Sequence, residues 1–174
     1  NEGIEIIGFR WDWPLLQRMD IIVSKTDLVE TVNTLKAGGA LQIDSNVFDA
    51  LRIVNGVPIS GKELTTDFNP LELGLKDLIS FSKGCYVGQE VIARLTTYDK
   101  VRRRLMRFSS VELIDEGAIL KSNGKKAGMV TSVAGRLDKP GVVGLALIGR
   151  TFWDDQVEQP TINGSIQIFS LPER

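Results

Sequence analysis

The chain has 174 residues, of which 43% are hydrophobic and 25% charged, a composition typical of a globular protein. Its 21 basic and 22 acidic side chains give a net charge of -1, so the overall charge does not indicate a nucleic-acid or membrane partner. One cysteine and no histidine exclude an internal disulfide, Ser-His-Asp or Cys-His catalysis, and every metal site that needs histidine. No run of 18 apolar residues occurs, so the sequence predicts no transmembrane helix.

The beginning of the chain predicts two strands and a helix. Residues 3–9 and 19–23 have the apolar character of strands, and a loop that carries Trp11 and Trp13 is expected between them. A Ser-x-x-Asp capping pattern then begins a helix that ends at Gly38. Because the first residue is not Met and an apolar stretch follows at once, we expect a fragment or a processed chain.

A second helix is predicted after Asp44, with an apolar stripe made by Val47, Phe48, Leu51 and Val54. Arg52 lies on the polar side of this helix, where it would pair with a glutamate or a ligand carboxylate, or form a surface salt bridge. Residues 57–84 are expected to be irregular because proline and glycine recur through them. A third helix is predicted from Gly88 to about Leu95, with a Glu90–Arg94 pair at i, i+4.

The second half of the chain changes character after residue 100. Short strand-like segments follow one another without helices, at residues 101–108, 117–120, 125–133, 142–149 and 165–169. Such a series is typical of a small barrel or sandwich. The sequence therefore predicts an α+β fold in two parts, residues 1–99 and residues 100–174, the second of them a small β-barrel.

The most informative stretch is KGCYVGQEVIAR, a glycine-punctuated loop that leads into the third helix. Cys85 lies just before the helix, where free N–H groups, the helix dipole and Lys83 favour the thiolate, whereas Glu90 opposes it. Gly84 and Gly88 allow close approach of the backbone to a ligand, and Tyr86 is suited to stacking and to donating a hydrogen bond. The alternative is that Cys85 is a small buried hydrophobe and the glycines only form a turn.

KGCYVGQE closely resembles the K-G-C-Y-x-G-Q-E signature of the YgfZ family, and three further stretches agree with the same superfamily. These are ALRIVNGVPISGKEL, NPLELGL, and KAGMVTSVAG followed by GVVGLALI. The resemblance covers residues 10–150 and implies a T-protein-like α+β region followed by a C-terminal β-barrel. It also implies that the chain corresponds to the C-terminal portion of such a protein.

The resemblance implies a tetrahydrofolate-binding protein that assists [4Fe-4S] enzymes or their assembly proteins, including a radical enzyme that modifies tRNA. The resemblance also implies that Cys85 is the functional thiol. The setting of that thiol is formed by Lys83, Gly84, Tyr86, Gly88, Gln89 and Glu90. The expected compartment is the cytoplasm for a bacterial source and the mitochondrial matrix for a eukaryotic one.

Two departures bear on the alternative function, that of a glycine-cleavage aminomethyltransferase. T-proteins have a glutamate that contacts the pterin ring where this chain has Val54, and valine cannot accept a hydrogen bond. T-proteins also lack the cysteine of the KGCY motif. Whether the protein is an enzyme therefore stays open at the level of the sequence.

Other candidate cofactor-binding residues have a structural alternative. Trp11 and Trp13 would form a stacking wall for a pterin or pack at a strand edge. Glu72 would accept hydrogen bonds from a pterin or from a loop backbone. A basic run, together with Arg94, would contact phosphate, polyglutamate or tRNA, or would be a solvated strand face. Its members are Lys100, Arg102, Arg103, Arg104 and Arg107.

Overall fold

The computed structural model describes residues 6–122, 124–153, 158–161 and 164–171. The first described element is an antiparallel hairpin of β1 (Ile6–Trp13) and β2 (Leu16–Val23), in which Ile6 pairs with Val23 and Trp13 with Leu16. The expected loop around Trp11 and Trp13 is wrong, because both residues belong to β1. Charged and aromatic residues alternate through this segment, which is the pattern of a strand, and the turn comes only at Pro14.

Two helices follow the hairpin, α1 (Leu28–Ala37) and α2 (Ser45–Val54). The Asp44 carboxylate caps α2 by accepting a hydrogen bond from the N–H of Val47 at 2.9 Å. The buried residues of α2 are Ala50, Arg52 and Ile53. The predicted apolar stripe is therefore wrong, since its members are exposed or half-buried at Val47, Phe48, Leu51 and Val54.

The third helix, α3 (Gln89–Thr97), is found where it is predicted, and a short 3-10 helix (Lys76–Leu78) interrupts the irregular segment before it. Among the described residues, the longest helices have ten residues, and none combines the length and apolar character that crossing a membrane requires.

Six antiparallel strands form the sheet of the second half, in the order β4-β5-β6-β3-β8-β7. They are β3 (Arg103–Ser110), β4 (Ile119–Ser122), β5 (Lys125–Gly135), β6 (Val142–Gly149), β7 (Glu158–Thr161) and β8 (Gly164–Phe169). Five of them match the predicted segments, and β7 was not predicted.

The sheet curls, but it is not the closed small barrel that was predicted. The edge strands β4 and β7 approach each other to within 8 Å between Cα atoms. Over the strands that the structure describes, no hydrogen-bonded ladder joins these two edges. Irregular registers next to Lys121 and at Thr131 bend β4 and β5 and contribute to the curl.

The sheet is covered on both faces by apolar side chains. Met106, Phe108 and Ile148 lie in the core inside the curl, together with Ile166 and Ile168 of β8. On the outer face, Leu105, Leu145 and Leu147 pack with Ile53 and Leu73 from the first half of the chain. Residues on the two sides of the predicted domain boundary therefore share a core, while the boundary itself stays a prediction.

Candidate functional site

The KGCYVGQE segment forms an exposed loop that ends at the N-terminus of α3. Gly88 is the N-cap residue, and its φ of 87° lies in the left-handed region that favours glycine. The N–H of Gln89 donates to the carbonyl of Tyr86 at 3.2 Å, which closes the turn. Cys85 is a free, exposed thiol. The alternative that Cys85 is a buried hydrophobe is therefore wrong.

Tyr86 and Lys83 contact each other within the loop. The Nζ atom of Lys83 lies 4.8 Å from the centre of the Tyr86 ring, in a cation–π contact. The Tyr86 hydroxyl is buried and has no hydrogen-bond partner among the described residues. A buried hydroxyl without a partner is costly, and it leaves the Tyr86 O–H as an unused donor next to the loop.

The flank of α3 lines a cavity of about 360 Å³, which we call the Glu72 cavity. Its lining residues are Asn69, Glu72, Val91, Arg94, Leu95, Lys100, Val101 and Arg102. The predicted Glu90–Arg94 ion pair is wrong, since no salt bridge joins these two described residues. Arg94 instead lies at the cavity with two other cationic side chains, so α3 connects the exposed thiol loop with a basic cavity.

Glu72 is the acidic residue of this cavity, and its position is fixed by three hydrogen bonds. The Arg103 guanidinium donates to Glu72 Oε1 at 2.9 Å and to Oε2 at 3.2 Å. The N–H of Asn69 donates to Oε2 at 3.2 Å, which confirms the prediction that Glu72 accepts from loop backbone. Only 6% of the residue is exposed. Oε1 accepts one hydrogen bond and keeps a second lone pair for a ligand.

Arg52 is not on the polar side of α2. The predicted surface salt bridge is wrong, whereas the predicted pairing with a glutamate is found at the buried Glu63. Its side chain is 1% exposed and lies between α2 and β5. Its guanidinium donates to Asp49 at 2.5 Å and to the Ser132 hydroxyl at 2.9 Å, and it lies 3.5 Å from Glu63. Glu63, Ser132 and Arg52 thus form a buried polar network. Glu63 and Ser132 were not singled out in the sequence because they are distant from Arg52 along the chain.

The basic run is divided between several environments, so it is neither one phosphate-binding stripe nor one solvated face. Arg103 pairs with Glu72, while Arg104 lies 4.7 Å from the Trp153 ring and donates to Ser170. Lys100 and Arg102 are exposed and line the Glu72 cavity.

A second cavity, of about 340 Å³, lies where the C-terminal end of α2 meets the sheet, and we call it the Val54 cavity. Its lining residues are Ile53, Val54, Arg107, Phe108, Ser109, Arg136, Lys139, Val143, Gln167 and Phe169. No carboxylate is among these residues. Arg136 and Lys139 come from the loop between β5 and β6, and their sequence pattern did not mark them as site residues.

Trp11 and Trp13 lie on β1, but their side chains are outside the described part of the structure, so the stacking wall stays a prediction. The exposed Glu90 and the half-buried Gln89 occupy the first turn of α3. Within the described segments, no group of three or more acidic or cysteine side chains is arranged to hold a metal ion.

No family model matches the chain. A chloroplastic protein of Arabidopsis thaliana, named as a transferase, is 40% identical over 128 residues, which cover 74% of this chain and 30% of that protein. The tRNA-modifying protein YgfZ of Colwellia psychrerythraea is 34% identical over 93 residues, or 48% of this chain and 28% of the relative. An aminomethyltransferase of Thermoanaerobacter pseudethanolicus is 30% identical over 105 residues, or 58% of this chain and 27% of the relative.

The fold is similar to that of the glycine cleavage system aminomethyltransferase T from Bartonella henselae, with a TM-score of 0.77 and 18% sequence identity. The match covers 95% of this chain and 48% of the solved chain. The chain thus spans less than half the length of these relatives, which fits the expectation of a portion of such a protein. It is homologous to the YgfZ proteins and the aminomethyltransferases, and it belongs to the T-protein superfamily that contains both.

Proposed function

We propose that this chain is part of a folate-binding accessory protein that supports iron–sulfur enzymes, among them an enzyme that modifies tRNA. The observation that carries the proposal is that α3 adjoins both the Cys85 loop and the Glu72 cavity. The exposed thiol of Cys85 precedes the helix, and Arg94 on its flank lines the Glu72 cavity. Relatives named tRNA-modifying protein YgfZ support the assignment.

The Glu72 cavity has the groups that a folate needs. A pterin ring carries N–H donors, and Glu72 Oε1 has a lone pair to accept one of them. Arg94, Lys100 and Arg102 are suited to the carboxylates of the glutamate tail. A cavity of about 360 Å³ lies within the range of small-molecule sites. Val54 cannot take the role of the T-protein glutamate, so the pterin binds at Glu72 instead.

Titration with folinate, followed by calorimetry, tests this assignment. We expect saturable binding by the wild type. Glu72→Gln loses a charged acceptor, so its affinity for folinate should be lower by about tenfold or more. Glu112→Gln is the matched control, since this exposed glutamate lies outside both cavities. Because Arg103 loses its partner in Glu72→Gln, thermal unfolding must show that the variant is folded. Folinate binding that Glu72→Gln leaves unchanged would contradict the assignment.

Cys85 is the working thiol of the proposed function. One thiolate cannot hold an iron–sulfur cluster alone, so the remaining ligands come from a partner iron–sulfur enzyme or assembly protein. The loop is suited to such a partner, because the Cys85 thiol is exposed. Exposure allows a second protein to reach the sulfur atom without opening the fold.

An aminomethyltransferase is the second candidate, and the relatives that bear this name favour it. It would hold tetrahydrofolate beside a lipoyl-bound aminomethyl group. Val54 and Cys85 argue against it, since T-proteins have a glutamate at the first position and lack the second residue. Formation of methylene-tetrahydrofolate with the partner proteins of glycine cleavage would decide for this candidate.

Direct binding of tRNA through the basic run is a weaker proposal, because Arg103 and Arg104 already have partners within the chain. The proposed compartment is the cytoplasm, or an organelle in a eukaryote. For the organelle, the chloroplast joins the mitochondrial matrix as a candidate, since one relative is named chloroplastic.

A further inference from the structure

The Val54 cavity has an excess of positive charge that the folate proposal does not use. Of the residues that the structure describes, three cationic side chains line it, Arg107, Arg136 and Lys139, and no carboxylate does. The chain as a whole has a net charge of -1, so this excess is local. A concave surface lined by one sign of charge concentrates ligands of the opposite sign.

Arg107 is the most informative of the three cations. It is half-buried, and it donates to the carbonyl of Val54 at 2.7 Å and to that of Ser170 at 3.2 Å. Both acceptors are neutral, and no carboxylate pairs with Arg107 within the described ranges. Burial lowers the pKa of Arg107 from its ordinary value. A partly desolvated guanidinium without a counter-ion is an unfavourable arrangement that an anionic ligand would relieve.

Arg107 also has donors left for such a ligand. The two carbonyls engage its Nε and Nη1 atoms, and Nη2 makes no hydrogen bond to a described residue. A guanidinium has five N–H donors in a planar fork, which matches the oxygen atoms of a carboxylate or phosphate. The carbonyl contacts fix the orientation of the fork at the cavity before any ligand arrives.

The loop between β5 and β6 brings two more cations to the same cavity. The N–H of Arg136 donates to the carbonyl of Gly141 at 3.0 Å, which holds the loop closed. Asp138 accepts two hydrogen bonds from Arg136, both of 3.0 Å, and neutralises part of its charge. Lys139 forms no ion pair or hydrogen bond with a described residue, although its charge helps to lower the pKa of Asp138, so its N–H donors stay available.

The remaining lining limits what the ligand can be. Ser109 and Gln167 face each other across the ladder between β3 and β8 and supply neutral polar groups. Val54 and Phe169 are 36% and 38% exposed and form apolar surface. A pterin would leave its N–H donors without a carboxylate here, whereas an oxyanion would find three cations.

We propose that the Val54 cavity binds the oxyanion of a small ligand, a phosphate or a carboxylate group, through Arg107, Arg136 and Lys139. This site is separate from the Glu72 cavity, and its ligand class follows from its own lining. The proposal does not depend on folate binding or on the role of Cys85.

Calorimetric titration of the chain with inorganic phosphate and with triglutamate tests the proposal and separates the two sources of oxyanion. Lys139→Gln is the variant of choice, because Lys139 makes no hydrogen bond or ion pair with the described residues, whereas Arg107 also holds two carbonyls. Lys121→Gln is the matched control, since Lys121 is an exposed lysine of β4 outside both cavities. Neither probe is a folate, so failure here is distinct from failure of the folinate experiment.

We expect saturable binding of at least one probe, with Lys139→Gln about tenfold weaker than both the wild type and Lys121→Gln, the loss of one charge-assisted hydrogen bond. Binding of phosphate alone assigns a phosphate-bearing ligand, and binding of triglutamate alone assigns a carboxylate. The proposal is overturned if neither probe saturates at concentrations up to about 10 mM. It is also overturned if the two lysine variants bind alike.

Discussion

Replacement of Glu63 by glutamine tests the buried network that joins α2 to the sheet. Glu63 is fully buried, and its Oε1 accepts a hydrogen bond from the Ser132 hydroxyl at 2.5 Å. Its Oε2 accepts from the N–H of Ile59 at 3.1 Å and lies 3.5 Å from Nη1 of Arg52. The Ser132 oxygen accepts in turn from Arg52 at 2.9 Å. Glu63→Gln keeps the shape of this side chain and removes its charge.

The expected cost follows from the donors that remain. The glutamine oxygen must take the Oε2 position, because two donors point there, so its amide N–H₂ faces Ser132. The Ser132 hydroxyl then accepts from both sides and loses the acceptor for its own proton. A buried group without a partner costs about 1–3 kcal/mol, and the Arg52 charge loses one of its two counter-ions. Since Asp49 remains as a partner, we expect about 2–4 kcal/mol in the free energy of unfolding.

Urea and thermal unfolding measure this loss. For a chain of this size each kcal/mol corresponds to about 2–4 °C in Tm, so the shift is easily resolved. Glu112→Gln, an exposed glutamate without an ion pair among the described residues, should change the free energy of unfolding by no more than about 0.5 kcal/mol. A Glu63→Gln variant as stable as Glu112→Gln would refute the network as a source of stability.

Three further predictions concern single positions. Gly144→Ala should lower the free energy of unfolding by more than about 2 kcal/mol, because the new Cβ would lie 2.3 Å from the Phe108 ring and 2.5 Å from the Ser132 carbonyl. Gly84→Ala has open space around it and should be neutral in the same unfolding assay. The hydrogen bond from Arg136 holds the pKa of Asp138 below its ordinary value of 3.8, so this contribution to stability is present above that pH and is lost as the pH falls through the lowered pKa. A carboxyl NMR titration should therefore show a midpoint for Asp138 below 3.8 that rises in Arg136→Gln, and an unchanged midpoint would contradict the pair. Cys85→Ala should change the free energy of unfolding by no more than about 0.5 kcal/mol in the same assay, because the thiol is free and exposed.

Local signals in the sequence were sufficient for most of the secondary structure. Five strands of the sheet begin and end within two residues of their predicted positions, because period-two alternation and turn residues are local features. A loop was predicted at Trp11 and Trp13 because two tryptophans followed by a proline are typical of a loop. The alternation of aromatic and charged residues in the same segment is instead the pattern of strand β1. β7 is a short strand without an apolar run, so no local pattern marked it.

The buried side of α2 could not be predicted from its own residues. The stripe through Val47, Leu51 and Val54 has the spacing of a core face, yet Ala50 and Ile53 face the sheet instead. The reason lies in Arg52, whose partner Ser132 is 80 residues away along the chain. A charged residue becomes a core residue only when distant partners compensate it, and a local pattern does not contain that information.

The candidate site was predicted in part. The exposed loop before α3, with Gly88 as its N-cap, follows directly from the motif KGCYVGQE. The Glu72 cavity depends on the tertiary contact between Glu72 and Arg103, and the Val54 cavity depends on the loop that carries Arg136 and Lys139. Tertiary packing, which no single motif specifies, brings these residues together.

The central claim is that this protein supports iron–sulfur enzymes through the thiol of Cys85. It is tested most directly by the rescue of tRNA methylthiolation in a bacterium without its YgfZ protein. The gene that encodes this chain is expressed as wild type, as Cys85→Ala and as Val87→Ala, a control at the neighbouring fully exposed position, at equal protein levels. We predict rescue by the wild type and by Val87→Ala and none by Cys85→Ala. Rescue by Cys85→Ala equal to that of the wild type, or no rescue by any of the three, would contradict the claim.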